Sequence, residues 1–298
     1  NQQGDRSGAE RPRLRKSLGQ HHLRSGATCR PLVEFLRPSG KLVVEIGPGG
    51  GVLTAELLAA GARVLALELD PDWAGELQRR LASPNLEVRV ADALEIDWTA
   101  LPAGALVAGN LPYNIGTAIV ERVLRAHPPI DRAAFLLQRE VVERLVAEPG
   151  DKAYGALSAL VRLRAAAWKL GNVRAGAFVP PPKVDSAFVG LELKGMPKEL
   201  GGSRGDRFES WLREAFAKRR KTLSNSLAKL YRREAVVAAL ESIHRPATSR
   251  SEALSLPELF QVFTKLETSA RRTPSSSRLA NGGAVGPGGT ISGQGTDR

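Results

Sequence analysis

Four successive residues, Asn110-Leu111-Pro112-Tyr113, carry the groups needed to grip a flat nitrogen base by its amine. An amino group on an aromatic ring is a poor nucleophile because its lone pair is delocalised into the ring. Two acceptors that hold its hydrogens shift the nitrogen towards tetrahedral geometry and free that lone pair. The Asn110 side-chain oxygen is one candidate acceptor, and the Leu111 backbone carbonyl is the other. Pro112 restricts its own backbone and biases Leu111 towards an extended conformation. Tyr113 offers an aromatic face for a base to stack on, worth roughly 1–3 kcal/mol in comparable sites. The chemistry is group transfer to an exocyclic amine, driven by positioning and electrostatics, with no strong general base required. An ordinary turn after a strand is the competing reading of such a tetrapeptide.

The donor side is suggested by Glu45-Ile46-Gly47-Pro48-Gly49-Gly50-Gly51. Glycines at the end of an apolar run let backbone amides approach a ligand. A dinucleotide fingerprint would need a further glycine at position 52, where Val52 stands. The spacing Gly47-x-Gly49-x-Gly51 matches instead the turn of enzymes that use S-adenosylmethionine, whose amino-acid tail, ribose and adenine need no pyrophosphate cradle. Glu68 follows Gly47 by 21 residues, at the end of the next apolar run. A carboxylate there can accept from both ribose hydroxyls. Asp92, in Ala91-Asp92-Ala93, can accept from the cofactor's adenine amine. Each acid alone reads equally as a solvated strand end; together with the loop they read as a cofactor site.

These residues need elements that deliver them to one edge. Strands are expected at 41–46, 63–69, 86–90, 105–108 and 133–138, alternating with helices at 52–60, 72–81, 117–124 and 140–146. Such alternation implies α/β architecture with a parallel sheet covered on both faces and ligands at the carboxyl ends of its strands. Gly195, Pro197, Gly201, Gly202 and Gly205 then mark a linker over 196–207 between a catalytic domain, 17–195, and a small all-α domain, 208–268. In the latter, Phe208, Trp211, Leu212, Ala215 and Phe216 share one helix face, and further helices are expected at 234–242 and 257–266. Residues 1–16 read as a basic flexible arm, and 269–298, nearly free of large apolar groups, as a disordered tail.

The chain has 298 residues and a formal net charge of +12, which points to a polyanionic partner. A single cysteine, Cys29, excludes an intrachain disulfide, and with four scattered histidines no metal site is expected. No secretory leader or stretch of eighteen apolar residues is visible, so no membrane span and a cytoplasmic location are expected.

Taken together, Ser17-Leu18-Gly19-Gln20-His21-His22-Leu23, Glu45 to Gly49, Asn110 to Ile115, Phe178-Val179-Pro180-Pro181-Pro182-Lys183-Val184-Asp185-Ser186-Ala187 and Lys218-Arg219-Arg220-Lys221-Thr222-Leu223 resemble the ribosomal small-subunit (16S) RNA adenine dimethyltransferases of the KsgA type, over residues 13 to 266. The resemblance implies a Rossmann-like methyltransferase domain with a mostly parallel seven-stranded sheet, S-adenosylmethionine as methyl donor, and dimethylation of the 6-amino groups of two adjacent adenosines in a hairpin loop near the 3′ end of 16S rRNA. The acceptor would be the nearly assembled small (30S) subunit, with a role in its late biogenesis, and the enzyme a monomer. It implies cofactor contacts at His21, Leu23, Gly47, Gly49, Glu68, Asp92 and Asn110, and a base pocket closed by Phe178 opposite Tyr113. His21 and His22 depart from the family's usual Asn-Phe, so the contact normally made by Asn falls to His21. Gly116 stands near the position where Ser is common and is expected to widen the turn. Lys218, Arg219, Arg220 and Lys221 are expected to contact rRNA phosphates. Three alternatives stay open: a 23S rRNA dimethyltransferase, a DNA adenine methyltransferase, and an assembly factor that acts mainly by binding.

Overall fold

In the computed structural model, residues 21–271 are described; the arm at 1–16, the Ser17–Gln20 part of the first motif and the tail beyond 271 lie outside them. The first apolar runs become β2 (Leu42–Ile46), β3 (Arg63–Glu68), β4 (Leu86–Val90), β5 (Ala105–Asn110) and β6 (Ile130–Gln138). The helices between them are α2 (Val52–Ala59), α3 (Pro71–Arg80), α4 (Gly116–Arg125) and α5 (Arg139–Val146). α3 starts where its chemistry dictates: Asp70 accepts the Asp72 amide at 3.0 Å, and Pro71 occupies the first turn. A short strand β1 (His22–Leu23) and helix α1 (Arg30–Leu36) precede this array; α6 (Ala156–Arg164), β7 (Ala165–Val173), β8 (Phe178–Val179) and β9 (Ser186–Leu193) follow it.

The main sheet has seven strands in the order β4-β3-β2-β5-β6-β9-β7, parallel from β4 to β6, with β9 antiparallel to both its neighbours. Separately, β1 pairs with β8 in a two-stranded ladder. One apolar cluster packs α4, α5 and α6 on one face of the sheet, and a second packs α1, α2 and α3 on the other. Strands buried on both faces read as continuous apolar runs, which is why β5 (Ala-Leu-Val-Ala) stands out in the sequence.

The C-terminal region is helical: α7 (Ser203–Phe216), α8 (Leu223–Ser226), α9 (Arg233–Glu241) and α10 (Leu256–Arg271). Phe208, Trp211, Leu212 and Ala215 are buried in a third cluster, which also takes Ala159, Leu160 and Leu163 from α6. Helix α6 thus serves two cores. Two boundaries differ from expectation. α7 begins at Ser203, inside the stretch read as linker, because Arg204 and Arg207 both dock on Glu267 of α10, at 3.0 and 2.9 Å. α10 runs to Arg271, past the helix end expected at 266 and into the stretch read as a disordered tail from 269.

Ion pairs fasten α7 to α4 and α6 of the α/β unit. Glu209, 3% exposed, takes Arg125 of α4 and Arg164 of α6, each at 2.6 Å, and Arg213 bridges to Glu121 of α4 at 2.7 Å. Removing the shared carboxylate strands Arg164, whose side chain is 12% exposed. Glu209→Ala is expected to lower unfolding free energy by about 2–4 kcal/mol, less than for a wholly buried pair because Arg125 is half-exposed. Urea denaturation measures it; a loss below roughly 0.5 kcal/mol, the range of ordinary surface changes, would show that the bridge does not hold the interface.

Candidate active site

β2 and β5 are parallel neighbours with Ile46 opposite Gly109, so Gly47 and Asn110 leave the sheet side by side at its carboxyl edge. The chain continues from β2 to β3 on one side and reaches β5 on the other, the switch point where open α/β sheets form their crevice. The cavity there holds about 180 Å³, more than ten times the roughly 10–15 Å³ that one water centre requires. His21, Leu23, Gly47, Gly49, Glu68, Asp92, Asn110, Leu111, Pro112 and Tyr113 all line it.

The loop after β2 turns through positive φ at Gly47 (63°) and Gly49 (46°). A Cβ on Gly47 would meet nothing within 4 Å, so the missing side chain leaves open space in the cavity wall. Glu68, at the end of β3, is 5% exposed. Its Oε2 accepts the Gly49 amide at 3.0 Å and its Oε1 the Asp70 amide at 3.1 Å. Burial pushes its carboxyl above the ordinary carboxylate range, and the two amides pull it back in part. Asp92, after β4, accepts the Leu94 amide at 2.8 Å through Oδ1.

Asn110 ends β5. Its Nδ2 donates to the His21 backbone carbonyl at 2.7 Å, which fixes the amide flip and leaves Oδ1 as the acceptor end. The Leu111 amide donates to the Leu136 carbonyl at 3.1 Å, extending the β5–β6 ladder one residue beyond the strand. The Gly116 amide closes the turn on the Pro112 carbonyl at 3.0 Å. Gly116 does not widen this turn. A Cβ there would come within 2.5 Å of Leu137 Cδ2, so glycine lets α4 start tight against β6. Tyr113 is half-buried, with its hydroxyl 3.1 Å from Ser186 Oγ and its ring 5.7 Å from His21. Burial raises its phenol pKa, so it stays neutral.

Phe178 is the expected site residue that the cavity lining does not include. It is 1% exposed and pairs with Leu23 across the β1–β8 ladder, within the core below the site. Lys218, Arg219, Arg220 and Lys221 are all exposed on the turn between α7 and α8, away from the cavity lining.

Several contributors escaped the sequence reading. The His21 backbone carbonyl orients Asn110, while the His21 ring Nδ1 lies 2.8 Å from the Pro180 carbonyl. Neither contact has a local signature. Ser186, 1% exposed, brings the Phe178–Ala187 motif to the clamp. Glu45 lines the cavity near the end of β2 while 1% exposed, and its Oε2 has no hydrogen-bond partner among the described residues. Burial pushes its carboxyl up to about 8, with Thr54 pulling it back only in part. An acid inside an apolar run was the signal that was available.

The profile of the ribosomal RNA adenine dimethylase family matches residues 11–265. The chain belongs to that family. It is 42% identical over 265 residues to the ribosomal RNA small subunit methyltransferase A of Thermosynechococcus vestitus, covering 86% of this chain and 98% of the relative. It is 43% identical over 222 residues to the protein of that name from Acidithiobacillus ferrooxidans, covering 72% and 82%. Among solved structures, it matches the dimethyladenosine transferase of Plasmodium falciparum with a TM-score of 0.72 at 24% identity, over 84% of this chain and 98% of that one. It matches the 23S rRNA methyltransferase ErmE with a TM-score of 0.67 at 29% identity, over 82% and 99%.

The chain is thus a ribosomal RNA adenine dimethyltransferase dependent on S-adenosylmethionine, and its glycine loop and Asn110–Tyr113 segment leave adjoining strand ends. Among the described residues no group of metal ligands occurs, and no helix is long and apolar enough to cross a membrane.

Glu45 makes stability pH-dependent with a definite sign. Its folded pKa, about 8, lies above its ordinary 4.5, so its contribution is fully present below 4.5 and is lost as pH rises through 8. Glu45→Gln, neutral and similar in shape, is expected to flatten the fall in unfolding free energy between pH 5 and 8. Equal slopes in both proteins, from urea titrations across that range, would contradict a buried neutral carboxyl.

Proposed function

We propose that the chain uses S-adenosylmethionine to dimethylate the 6-amino groups of two adjacent adenosines in a hairpin loop near the 3′ end of 16S rRNA. In this reading it acts as a cytoplasmic monomer on the nearly complete 30S subunit, late in biogenesis. The observation that carries the proposal is the oriented Asn110 amide beside the glycine loop: its Nδ2 is bound to the His21 carbonyl, so Oδ1 is the acceptor left on a residue that lines the cavity.

The cofactor site fits its group. Gly47 leaves room for the amino-acid tail, with Gly49 lining the same turn, Glu68 keeps a lone pair for the ribose, and Asp92 stands at the next strand end for the adenine. His21, Leu23 and Asn110 line the same space. When bound, S-adenosylmethionine supplies an electrophilic methyl group. Asn110 Oδ1 and the Leu111 carbonyl take the two amine hydrogens of the target adenine and turn its lone pair towards that methyl. Tyr113 stacks on the ring. The extra proton leaves after transfer, so no buried base is required. A loop adenine is already unpaired, and its extrusion costs little. Phe178 lies adjacent in the core and would act as the opposite wall only after exposing its ring.

Small-subunit rRNA is favoured over 23S rRNA by the relatives: those named for the small subunit are 42% and 43% identical, whereas ErmE is 29% identical. The exposed Lys218–Lys221 run is assigned to rRNA phosphates, in keeping with the +12 net charge.

Mass spectrometry of 16S rRNA fragments, after incubating unmethylated small subunits with the protein and S-adenosylmethionine, is expected to show four added methyl groups on two neighbouring adenosines. Methyls on 23S rRNA instead would refute the assignment. Tyr113→Ala is expected to slow transfer at least tenfold while subunit binding changes less than threefold; equal loss of both would remove Tyr113 from the clamp. Neutralising Lys218, Arg219, Arg220 and Lys221 together should flatten the slope of log K against log salt by about 3, and an unchanged slope would place the phosphate contacts elsewhere.

A further inference from the structure

His22, half-buried at the start of β1, makes a polar bond to the loop after β2. The Gly50 amide donates to His22 Nδ1 at 2.8 Å. The ring lies against the loop closely enough that a Cβ on Gly49 would come within 2.5 Å of its Cε1. Its other side packs on Trp73 of α3, with ring centroids 4.6 Å apart. Gly50 is held at its second polar group as well, since Arg80 of α3 donates to its carbonyl oxygen. Glu68 meanwhile holds the Gly49 amide. Two consecutive amides of the cofactor loop are therefore fixed by side chains from different elements.

We propose that His22 is a positioning residue for the cofactor loop, and that it works only as the neutral imidazole with a lone pair on Nδ1. An acceptor at Nδ1 puts the ring proton on Nε2, which is buried with no hydrogen-bond partner among the described residues. Protonation places a second N–H at Nδ1, facing the Gly50 amide donor to donor, and the loop must then move. Burial opposes that charge first, and its chain neighbour His21 and Arg80 on α3 oppose it further, so the pKa lies below the ordinary imidazole value. Glu68 and Glu45 titrate at the ends of β3 and β2 along the same cavity.

The inference rests on the loop being the cofactor wall, and its test separates the two ideas. S-adenosylhomocysteine, whose sulfur is uncharged, is titrated calorimetrically into the full-length, ligand-free protein between pH 8.0 and 5.5. The expected wild-type result is an affinity that falls severalfold across that range, by less than tenfold because the imidazole titrates below its ordinary value. His22→Asn places an amide oxygen near the Nδ1 position and cannot titrate; it is expected to bind within threefold of wild type at pH 8.0 and to lose most of the fall. His22→Phe removes the acceptor and is expected to bind at least fivefold more weakly at pH 8.0, with unfolding monitored by circular dichroism to show that the chain remains folded. Should His22→Phe fail to fold, the comparison of His22→Asn with wild type still decides. The acids and His21 remain in all three proteins, so only the difference between profiles is read. A wild-type pH profile in His22→Asn, or wild-type affinity in a folded His22→Phe, overturns the proposal. No binding by the wild type at any pH would overturn the cofactor reading itself.

Discussion

The parallel pairing of β2 with β5 is the constraint from which the site follows. Because Ile46 and Gly109 are register partners, the glycine loop and the Asn110–Tyr113 segment must emerge next to each other. Neither strand can slip without moving apolar side chains that are wholly buried on both faces, such as Val43, Leu106 and Val107. The sheet thereby sets the separation between the glycine loop and the Asn110–Tyr113 segment, and the loops supply only orientation. That orientation comes largely from one crossing contact, the His21 carbonyl on Asn110, delivered by the two-residue ladder of β1 with β8.

The helical region is tied to the same machinery. α4 begins at Gly116, directly after the clamp, and carries Glu121 and Arg125, both of which pair with α7. The turn bearing Lys218 to Lys221 follows α7 immediately. An exposed basic turn is thus linked through α7 and α4 to the residues proposed to hold the target base. Positioning of this kind is the main catalytic resource where no strong base is needed.

Much of this was legible in the sequence because it is local. β2 to β6 announce themselves as apolar runs between turn residues, and Gly47, Glu68, Asp92 and Asn110 fall at or just beyond four of their ends. What escaped is non-local. β7 is an edge strand with a register shift near Lys169 and half-exposed residues, so it shows no clean alternation. The β1–β8 ladder is too short for any period. Gly201, Gly202 and Gly205 read as a breaker, yet the pairing of Arg204 and Arg207 with Glu267 carries the helix back to Ser203. A backbone carbonyl such as that of His21 has no residue type to betray it. The burial of Phe178 likewise depends on its partner Leu23, far away in the chain.

The central claim is that Asn110 acts on the acceptor amine rather than on the fold. It is tested most directly by the single-turnover rate of methyl transfer to unmethylated small subunits, at saturating S-adenosylmethionine, for Asn110→Ala against wild type. Loss of one positioned hydrogen-bonding group in a transition state costs roughly 10²–10³ in rate, so a fall of that size is predicted, with subunit affinity preserved. A rate within threefold of wild type would contradict the account.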